Sequence, residues 1–368
     1  MPSGTDVLII GGGAVGSACA REIARSGRSV TLLQRPETPG EGWRAAAGML
    51  AAQIEATPED PLFNLALAGR SYYRRNAGAL GEAGGRSIGM MESGILQLAW
   101  SEAEVDAGKA KVAWQRQQGY RADWLSTEEV QRGWPWLAPA AGAFWAPEDG
   151  ALDPSSLVAA FRADATRHGA RLVTDEAVGL DIKDGKLLGV IGAADRHRAD
   201  SVVIAGGAWA GRLSHLPRPV SVEPVRGQIA AFPWPEAIPP AIVYGPHCYL
   251  LKRGDELLAG ATMEHVGFDV AVTAEGIREL LTRVAEIYPA LATATPSRTW
   301  AGLRPGTPDG LPIIGPEPRL PGLWYATGHG RNGILLAGIT GELIARGMAG
   351  DELPDEARRV RPTRFWNW

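Results

Sequence analysis

The chain has 368 residues, 45% of them hydrophobic, and a formal net charge of −4, which suits a folded protein of about two domains. Acidic and basic residues nearly balance, so the basic excess of a nucleic-acid-binding protein is missing, although a local arginine cluster would still bind small anions. The two cysteines, Cys19 and Cys248, are too few for a disulfide framework or a four-cysteine zinc site. We expect a cytoplasmic protein without a metal centre.

The first predicted strand is Val7–Ile10, an apolar run that leads directly into glycines. Because the run is short and no basic segment precedes it, we expect a buried strand and not a signal peptide. No later run approaches the length that spans a bilayer. A helix is predicted up to about Ser26, Gly27 would end it, and Ser29–Leu33 would form the second strand. This order predicts a β-α-β unit.

A glycine motif, Gly11-x-Gly13-x-x-Gly16, lies between the first strand and the helix, with Ala14 and Val15 inside it. Gly11 would permit a tight turn, Gly13 would let the backbone approach a pyrophosphate, and Gly16 would let helix and strand pack closely. The phosphates would then meet the positive end of the helix dipole. The spacing predicts a dinucleotide site; the alternative is a glycine turn with a structural role only.

The position after the second strand carries Gln34 and Arg35, where an acidic residue normally accepts hydrogen bonds from the adenosine ribose. The amide oxygen of Gln34 can accept one such bond, more weakly than a carboxylate. Arg35 would favour a phosphate there, which leaves an NADP interpretation open. The alternative is that both side chains face solvent.

The segment Arg44–Leu50 is rich in alanine and contains Ala47, Gly48 and Met49. Its small residues would let the backbone lie close to a flat ring, and Met49 would supply an adaptable apolar wall. An ordinary alanine-rich helix start is the alternative interpretation.

Further helices and strands follow in alternation. Helices are predicted at residues 58–83, 155–168, 274–288 and from about Asn332 to Met348. Strands are predicted at Gly94–Trp100, Arg171–Val173, Ser201–Ala205 (ending at Gly206), Gln228–Phe232, Cys248–Leu251 and Leu257–Ala261.

These elements predict an α/β protein in which a Rossmann-type nucleotide-binding domain carries an inserted, mostly antiparallel α+β domain. The nucleotide-binding domain would comprise residues 1–88, 148–218 and 302–368. The inserted substrate domain would comprise residues 89–147 and 219–301.

Two glycine-rich segments near the C-terminus each carry an arginine: Arg304 in Trp300–Gly310 and Arg331 in Gly328–Ala337. The second segment again runs into a helix, whose N-terminus would stabilise negative charge that develops on a bound cofactor. An arginine fork is a natural partner for a carboxylate. Lone arginines are mostly surface groups, which is the alternative for both.

The segment His247–Cys248–Tyr249 is predicted to lie on an apolar strand, with Met263 beyond it. Tyr249 would hydrogen-bond a substrate carboxylate. His247 and Cys248 fit core positions better than catalytic ones.

Taken together, these segments resemble the glycine oxidase branch of the D-amino acid oxidase family, the flavoenzymes called ThiO in thiamine synthesis. The likeness runs from Val7 to about Met348. Its most specific motifs are Ala45–Leu50, Ala301–Thr307 and Arg331–Leu336.

The resemblance implies noncovalent FAD, a small amino-acid substrate and molecular oxygen, without a nucleic-acid or membrane partner, and it is compatible with a homo-oligomer. It implies that Arg304 holds the substrate carboxylate with help from Tyr249, and that Arg331 lies beside both flavin and substrate. Met49, His247 and Met263 would line the substrate pocket. The cofactor contacts that it implies are Gly11, Gly13, Ala14, Val15, Gly16, Gln34, Arg35, Gly42, Trp43, Arg44, Ala47, Gly48, Met49, Val178, Gly206, His329, Gly330, Arg331, Asn332, Gly333, Ile334 and Leu335.

Two positions depart from the family pattern. Gln34 stands where a glutamate is usual, and Gly42–Trp43–Arg44 replaces small hydroxyl residues. Both concern the grip on FAD, and Arg44 would compensate by pairing with a phosphate.

The expected reaction converts glycine, oxygen and water to glyoxylate, ammonia and hydrogen peroxide, with an imine that thiamine synthesis would use. The alternatives are an oxidase of sarcosine, D-amino acids or other N-substituted glycines, a dehydrogenase with another electron acceptor, and a flavoprotein without catalysis.

Overall fold

The computed structural model describes residues 4–235, 238–245 and 247–365. In chain order, the strands are β1 (Thr5–Ile10), β2 (Val30–Gln34), β3 (Met49–Leu50), β4 (Ile95–Ala99), β5 (Asp123–Ser126), β6 (Gly142–Ala146), β7 (Gly150–Ala151), β8 (Arg171–Thr174), β9 (Ala177–Lys183), β10 (Lys186–Gly192), β11 (Arg196–Ile204), β12 (Glu223–Pro233), β13 (Ile242–Gly245), β14 (Cys248–Arg253), β15 (Glu256–Gly260), β16 (Arg298–Gly306), β17 (Ile313–Pro316) and β18 (Leu323–Thr327).

The α-helices are α1 (Ala14–Arg25), α2 (Gly42–Ala45), α3 (Phe63–Gly84), α4 (Glu102–Gln117), α5 (Thr127–Gly133), α6 (Pro154–Arg167), α7 (Ala274–Ile287), α8 (Gly333–Ala349) and α9 (Asp355–Arg359). Among the described residues, none of these helices combines the length and apolar character needed to cross a membrane.

The first sheet has the strand order β17-β18-β11-β1-β2-β8, and the hairpin β9-β10 extends it from β11. The pairs β1-β2, β1-β11, β2-β8 and β11-β18 are parallel, as the β-α-β pattern predicts. The central strands are apolar on both faces because α1, α6 and α8 cover one side and a second apolar cluster covers the other. The predicted α/β fold with a Rossmann-type domain is confirmed.

The second sheet has the order β16-β12-β15-β14-β13-β4-β6-β5 and is antiparallel except where β13 pairs with β4. Its strands come from residues 95–146 and 223–306, between segments that build the first sheet, so it is an insertion. Helix α7 packs its apolar face on this sheet through Leu280, Val284 and Ile287. The expected domain boundary at residue 302 falls inside β16, which pairs along its whole length with β12.

Most predicted elements are present with ends shifted by a few residues. The helix expected from residue 58 begins only at Phe63. Helices α4 and α5 and the hairpin β9-β10 were not predicted. One interpretation of Arg44–Leu50 was the start of an alanine-rich helix. The helix here ends at Ala45, and the chain is extended from Ala46.

Candidate functional site

A cavity of about 1100 Å³ lies where the carboxyl ends of the first sheet's parallel strands face the second sheet. Its volume is at the upper limit of typical small-molecule sites, roughly 300–1,000 Å³, which leaves room for an extended cofactor and a small substrate. We call the part lined by the glycine motif and the segment 34–44 the glycine-loop side. We call the part lined by Arg304, Tyr249, Arg331 and Glu55 the Arg304 side.

Most residues proposed from the sequence line this one cavity. They are Gly11, Gly13, Ala14, Val15, Gln34, Arg35, Gly42, Trp43, Arg44, Ala47, Gly48, Met49, Val178, Gly206, His247, Tyr249, Met263, Arg304, His329, Gly330, Arg331, Asn332, Gly333 and Ile334. Gly16 and Leu335 lie outside the lining. Leu335 is buried in the apolar cluster beneath α8, and a Cβ on Gly16 would stand 1.8 Å from the Gly11 carbonyl oxygen. Gly16 thus serves the close helix–strand packing that the motif predicts.

The glycine loop turns tightly between β1 and α1. Gly11 has a φ of +105°, and a Cβ there would lie 2.5 Å from the Ala205 carbonyl oxygen. Only glycine fits such a position without strain. Gly13 is the N-cap of α1 and offers no side chain, so the first backbone N–H groups of the helix lack a side-chain cap. They are free for an anionic ligand.

A second helix N-terminus at the cavity is also without a side-chain cap. Helix α8 begins at Gly333 after the N-cap Asn332, whose side chain caps nothing. Two positive helix ends therefore border one cavity.

Gln34 ends β2 directly beneath the glycine loop. Its Oε1 is buried and has no hydrogen-bond partner among the described residues, and a Cβ on Gly12 would stand 2.5 Å from that oxygen. A buried acceptor without a donor is unfavourable in a protein that has no ligand at this place. The alternative that Gln34 simply faces solvent is wrong.

Arg35 does not point into solvent either. Its guanidinium stacks on the Trp209 ring, 3.8 Å from Cζ to the ring centre. Burial lowers its pKa, with Glu41 and Glu176 opposing the shift, and the group keeps its charge at neutral pH.

The segment that departs from the family pattern forms an arginine–tryptophan cluster. Trp43 lies against Gly13, and the guanidiniums of Arg44 and Arg162 lie 4.3 Å and 5.6 Å from its ring centre. Arg44 is ion-paired with Glu41 at 2.7 Å, so its charge is already compensated by the protein. Arg162 is different: it donates to the carbonyl oxygen of Gly12 and has no carboxylate within ion-pairing distance among the described residues. Sequence reasoning missed Arg162, because nothing in the pattern of α6 marks it.

Arg304 lies on β16 with its guanidinium flat against Gly227 of β12. A Cβ on Gly227 would stand 2.5 Å from the Arg304 Cζ, so the glycine makes the space. One Nη donates to the Thr262 carbonyl oxygen at 3.0 Å. No carboxylate of the described residues lies within ion-pairing distance of Arg304. Burial lowers its pKa, and this half-buried cation has no anionic partner among the described residues.

Tyr249 lies on β14 beside Arg304. Burial raises the pKa of its hydroxyl to about 12, with the charges of Arg304 and Arg253 opposing the shift. The hydroxyl stays protonated at neutral pH and is a hydrogen-bond donor. It makes no hydrogen bond with another described residue.

Arg331 is held by residues that sequence reasoning did not identify. Its Nε donates to Oε2 of Glu55 at 2.7 Å, and the Tyr244 hydroxyl donates to Oε1 of the same carboxylate at 2.7 Å. The charge of Glu55 raises the pKa of Arg331. Glu55 lies in a turn 276 residues from Arg331 in the chain, and no local motif connects the two.

His247 and Met263 occupy the open part of the cavity. The prediction that His247 lies on a strand is wrong: it is in the turn before β14, exposed, with a φ of +59°. Met263 is 61% exposed. Cys248 is buried, as expected for a core residue. Met49 lies on the short strand β3, half-buried in the lining.

His329 precedes α8 and is fully enclosed. Its Nε2 is 3.0 Å from the Thr340 Oγ1, and burial lowers its pKa to about 3. The ring is therefore neutral at physiological pH.

Comparison with known proteins gives a consistent result. The family model described as "DAO: FAD dependent oxidoreductase" matches residues 6–346. The glycine oxidase of Geobacillus kaustophilus is 37% identical over 348 residues, which are 92% of each chain. A crystal structure of glycine oxidase from that organism superposes with a TM-score of 0.92 at 35% identity and 99% coverage of both chains.

Two further relatives differ in name. The bifunctional protein ThiO/ThiG of Synechocystis is 34% identical over 99% of this chain and 55% of its own length. The iminodiacetate oxidase of Chelativorans has a TM-score of 0.89 at 28% identity, with 97% of this chain and 98% of that chain covered.

Proposed function

The chain belongs to the DAO family of FAD-dependent oxidoreductases, and from that premise we propose that it oxidises glycine and small relatives of glycine at the amine-bearing carbon. The observation that carries the substrate class is Arg304: a half-buried cation without an anionic partner among the described residues, beside the donor hydroxyl of Tyr249. Such a pair suits one carboxylate.

The glycine-loop side fits FAD. The partnerless Oε1 of Gln34 offers an acceptor for a ribose hydroxyl, and the uncapped start of α1 offers donors for a pyrophosphate. In this chain Gly42–Trp43–Arg44 replaces the hydroxyl residues that are usual in the family. We propose that the charge of Arg162 helps to bind the pyrophosphate in their place, since Arg44 is already paired with Glu41.

The residues of the Arg304 side would act by orientation and charge. Arg304 and Tyr249 would hold the substrate carboxylate, which fixes the α-carbon and its C–H bond relative to the ring. The substrate amine must be neutral when the hydride leaves, and no catalytic base is required of the protein for that step. The bound flavin supplies the two-electron acceptor, and its reoxidation by oxygen would give hydrogen peroxide. The start of α8 would stabilise negative charge on the ring's pyrimidine edge.

The imine product would hydrolyse to glyoxylate and ammonia. We propose that it also serves the formation of the thiamine thiazole, a role supported by the resemblance to proteins named ThiO/ThiG.

A second candidate is oxidation of a glycine with a small uncharged N-substituent, such as sarcosine. The exposed His247 and Met263 leave the cavity open, and the fold matches that of an oxidase named for an N-substituted glycine, iminodiacetate.

The deciding experiment reduces the purified holoenzyme anaerobically with glycine, sarcosine, D-alanine, L-alanine and iminodiacetate, and then measures hydrogen peroxide in air. We expect glycine to bleach the flavin and peroxide to form in equal amount. Bleaching without peroxide would show a dehydrogenase, and no bleaching by any of these compounds would contradict the proposal.

A further inference from the structure

The Arg304 side contains two arginines but only one uncompensated positive charge. Arg331 is ion-paired with Glu55, whereas Arg304 has no carboxylate partner among the described residues. Tyr244 and Tyr249 stay neutral because burial raises the pKa of both hydroxyls. The balance of these side chains is therefore one positive charge, which matches a substrate with one carboxylate and a neutral amine.

Glu55 uses both carboxylate oxygens to reach this balance. Oε2 accepts from Arg331 and Oε1 accepts from Tyr244, each at 2.7 Å. The Glu55 side chain is 16% exposed, while that of Arg331 is 56% exposed. Arg331 thus presents further N–H groups to the cavity, but with its charge neutralised by Glu55.

The buried carboxylate of Asp149 fixes the backbone of the turn that carries Glu55. The backbone N–H groups of Gln53 and Ile54 donate to the buried carboxylate of Asp149 at 2.8 Å and 2.9 Å. Asp149 is in turn ion-paired with Arg70 at 2.6 Å.

Two hydrogen bonds from side chains also hold this turn. The amide of Gln53 bonds to Gln115, and Lys111 donates to the carbonyl oxygen of Ile54. These contacts hold the backbone of the turn, which keeps Glu55 within reach of Arg331.

We propose that Glu55 determines substrate specificity by neutralising Arg331, so that the site accepts a glycine with one carboxylate and rejects a glycine whose N-substituent carries a second. The proposal rests on the proposed function and extends it to the substrate class. A second carboxylate extending from the amine would meet the Glu55 charge, and Arg331 would not be available to compensate it.

The test compares two substrates of nearly the same size that differ in one charged group: iminodiacetate and its monoamide, N-(carbamoylmethyl)glycine, in which an amide replaces one carboxylate. For each variant, the ratio of kcat/KM for the diacid to kcat/KM for the monoamide is measured on FAD-loaded enzyme. If Glu55 had a structural role only, its substitution would change kcat/KM for both substrates by the same factor and leave the ratio unchanged.

Glu55→Gln keeps the size of the side chain and removes its charge. We expect the ratio to rise at least ~10-fold, because Arg331 then pairs with the second carboxylate. The double variant Glu55→Gln/Arg331→Gln should lose most of that gain. Arg331→Gln alone leaves Glu55 uncompensated and should lower the ratio below that of the wild type, which also provides a test if Glu55→Gln does not retain FAD.

Glu279→Gln is the matched control. Glu279 also lines the cavity and also pairs with an arginine, Arg283, but on α7. Its variant should leave the ratio near the wild-type value.

An unchanged ratio in FAD-loaded Glu55→Gln, or an equal rise in the double variant, would overturn the proposal while glycine oxidation by the wild type left the proposed function standing. A wild type that oxidises neither glycine nor the monoamide would overturn the proposed function and this inference with it.

Discussion

The glycine-loop side and the Arg304 side of the cavity are built in different ways. On the glycine-loop side, backbone shape dominates: Gly11 needs a positive φ, and the N–H groups at the start of α1 have no side-chain cap. On the Arg304 side, side chains from distant segments dominate, as in the contact of Arg331 with Glu55. The first kind of site is encoded within a few consecutive residues, whereas the second exists only after the chain has folded.

The difference has a functional consequence. A backbone cradle is hard to alter without disturbing the fold, so it suits a cofactor that must always be held. A side-chain cluster can change its charge by one substitution, so it suits the choice of substrate. If this is right, substitutions on the two sides should affect different ligands.

The largest expected effect is on the Arg304 side. Arg304→Ala should weaken binding of glycine at least ~30-fold while FAD stays bound, because losing one partner of a buried charged pair costs roughly 2–5 kcal/mol. Arg304→Lys should recover only part of the affinity, since an ammonium cannot form a planar two-bond fork. The measurement is anaerobic flavin reduction at graded glycine concentrations.

Arg298→Ala is the control on the same strand, because Arg298 is half-exposed and paired with Glu256. Near-normal half-saturation by glycine in a stable Arg304→Ala holoenzyme would remove Arg304 from the substrate site.

On the glycine-loop side, Gly11→Ala should weaken FAD binding by about 5- to 150-fold. The φ of +105° and the 2.5 Å approach to the Ala205 carbonyl oxygen make any Cβ strained, at a cost of about 1–3 kcal/mol. The dissociation constant is measured by titrating apoprotein with FAD.

Gly27→Ala provides the matched comparison. Gly27 also has a positive φ, of +85°, but a Cβ there would meet no atom within 4 Å. It should lower stability slightly and leave FAD binding unchanged; equal losses in the two variants would show that the glycine loop has no special part in holding FAD.

His329 connects the cavity to the core, and its burial makes the fold sensitive to acid. Its pKa is about 3 in the folded protein and about 6.5 when unfolded, so below pH 6.5 the unfolded chain binds the extra proton. The contribution of neutral His329 to the free energy of unfolding is therefore fully present above pH 6.5 and is lost as the pH falls towards 3. Between pH 7.5 and 5.5 it should lower the free energy of unfolding by about 1.4 kcal/mol.

The measurement is the free energy of unfolding of wild type and His329→Gln at these two pH values. The wild type should lose about 1.4 kcal/mol more than the variant. His265→Gln, which removes an exposed histidine, should behave like the wild type. Parallel pH dependence in wild type and His329→Gln would refute the assignment.

The smallest expected effect concerns Gln34. Gln34→Glu should tighten FAD binding by about 1 kcal/mol, because a carboxylate accepts a ribose hydroxyl more strongly than an amide does. Gln34→Leu, which removes the acceptor, should weaken it. Titration of apoprotein decides, and a clear loss of affinity in Gln34→Glu would mean that the amide group donates a hydrogen bond there.

The sequence predicted the parts of the molecule that local patterns specify. The strand–glycine–helix pattern located β1 and α1, and the apolar runs located the parallel strands β2, β8 and β11 but not β18. Helices α4 and α5 were missed although each begins with a capping box, Ser101 with Glu104 and Ser126 with Glu129, so a search for this pattern would have found them. The bounds of β16 needed its partner strand, β12, because its own residues include glycine and proline.

The residues of the site also divide into those that local patterns specify and those that matter only through distant partners. Arg304 stood in a recognisable motif and Tyr249 on a predicted strand, and the structure brings both to one cavity. Glu55, Tyr244 and Arg162 had no signal of their own, because their importance comes from partners far away in the chain. The position of His247 depended on where a turn ends, and local propensity did not settle it.

The most direct test of the account is a crystal structure of the FAD-loaded enzyme with glycolate, which has the carboxylate of glycine and a hydroxyl in place of the amine. We predict that the FAD pyrophosphate meets the start of α1. The glycolate carboxylate should lie within hydrogen-bonding distance of both the Arg304 guanidinium and the Tyr249 hydroxyl. A glycolate bound elsewhere in the cavity, with Arg304 and Tyr249 free of it, would contradict the account.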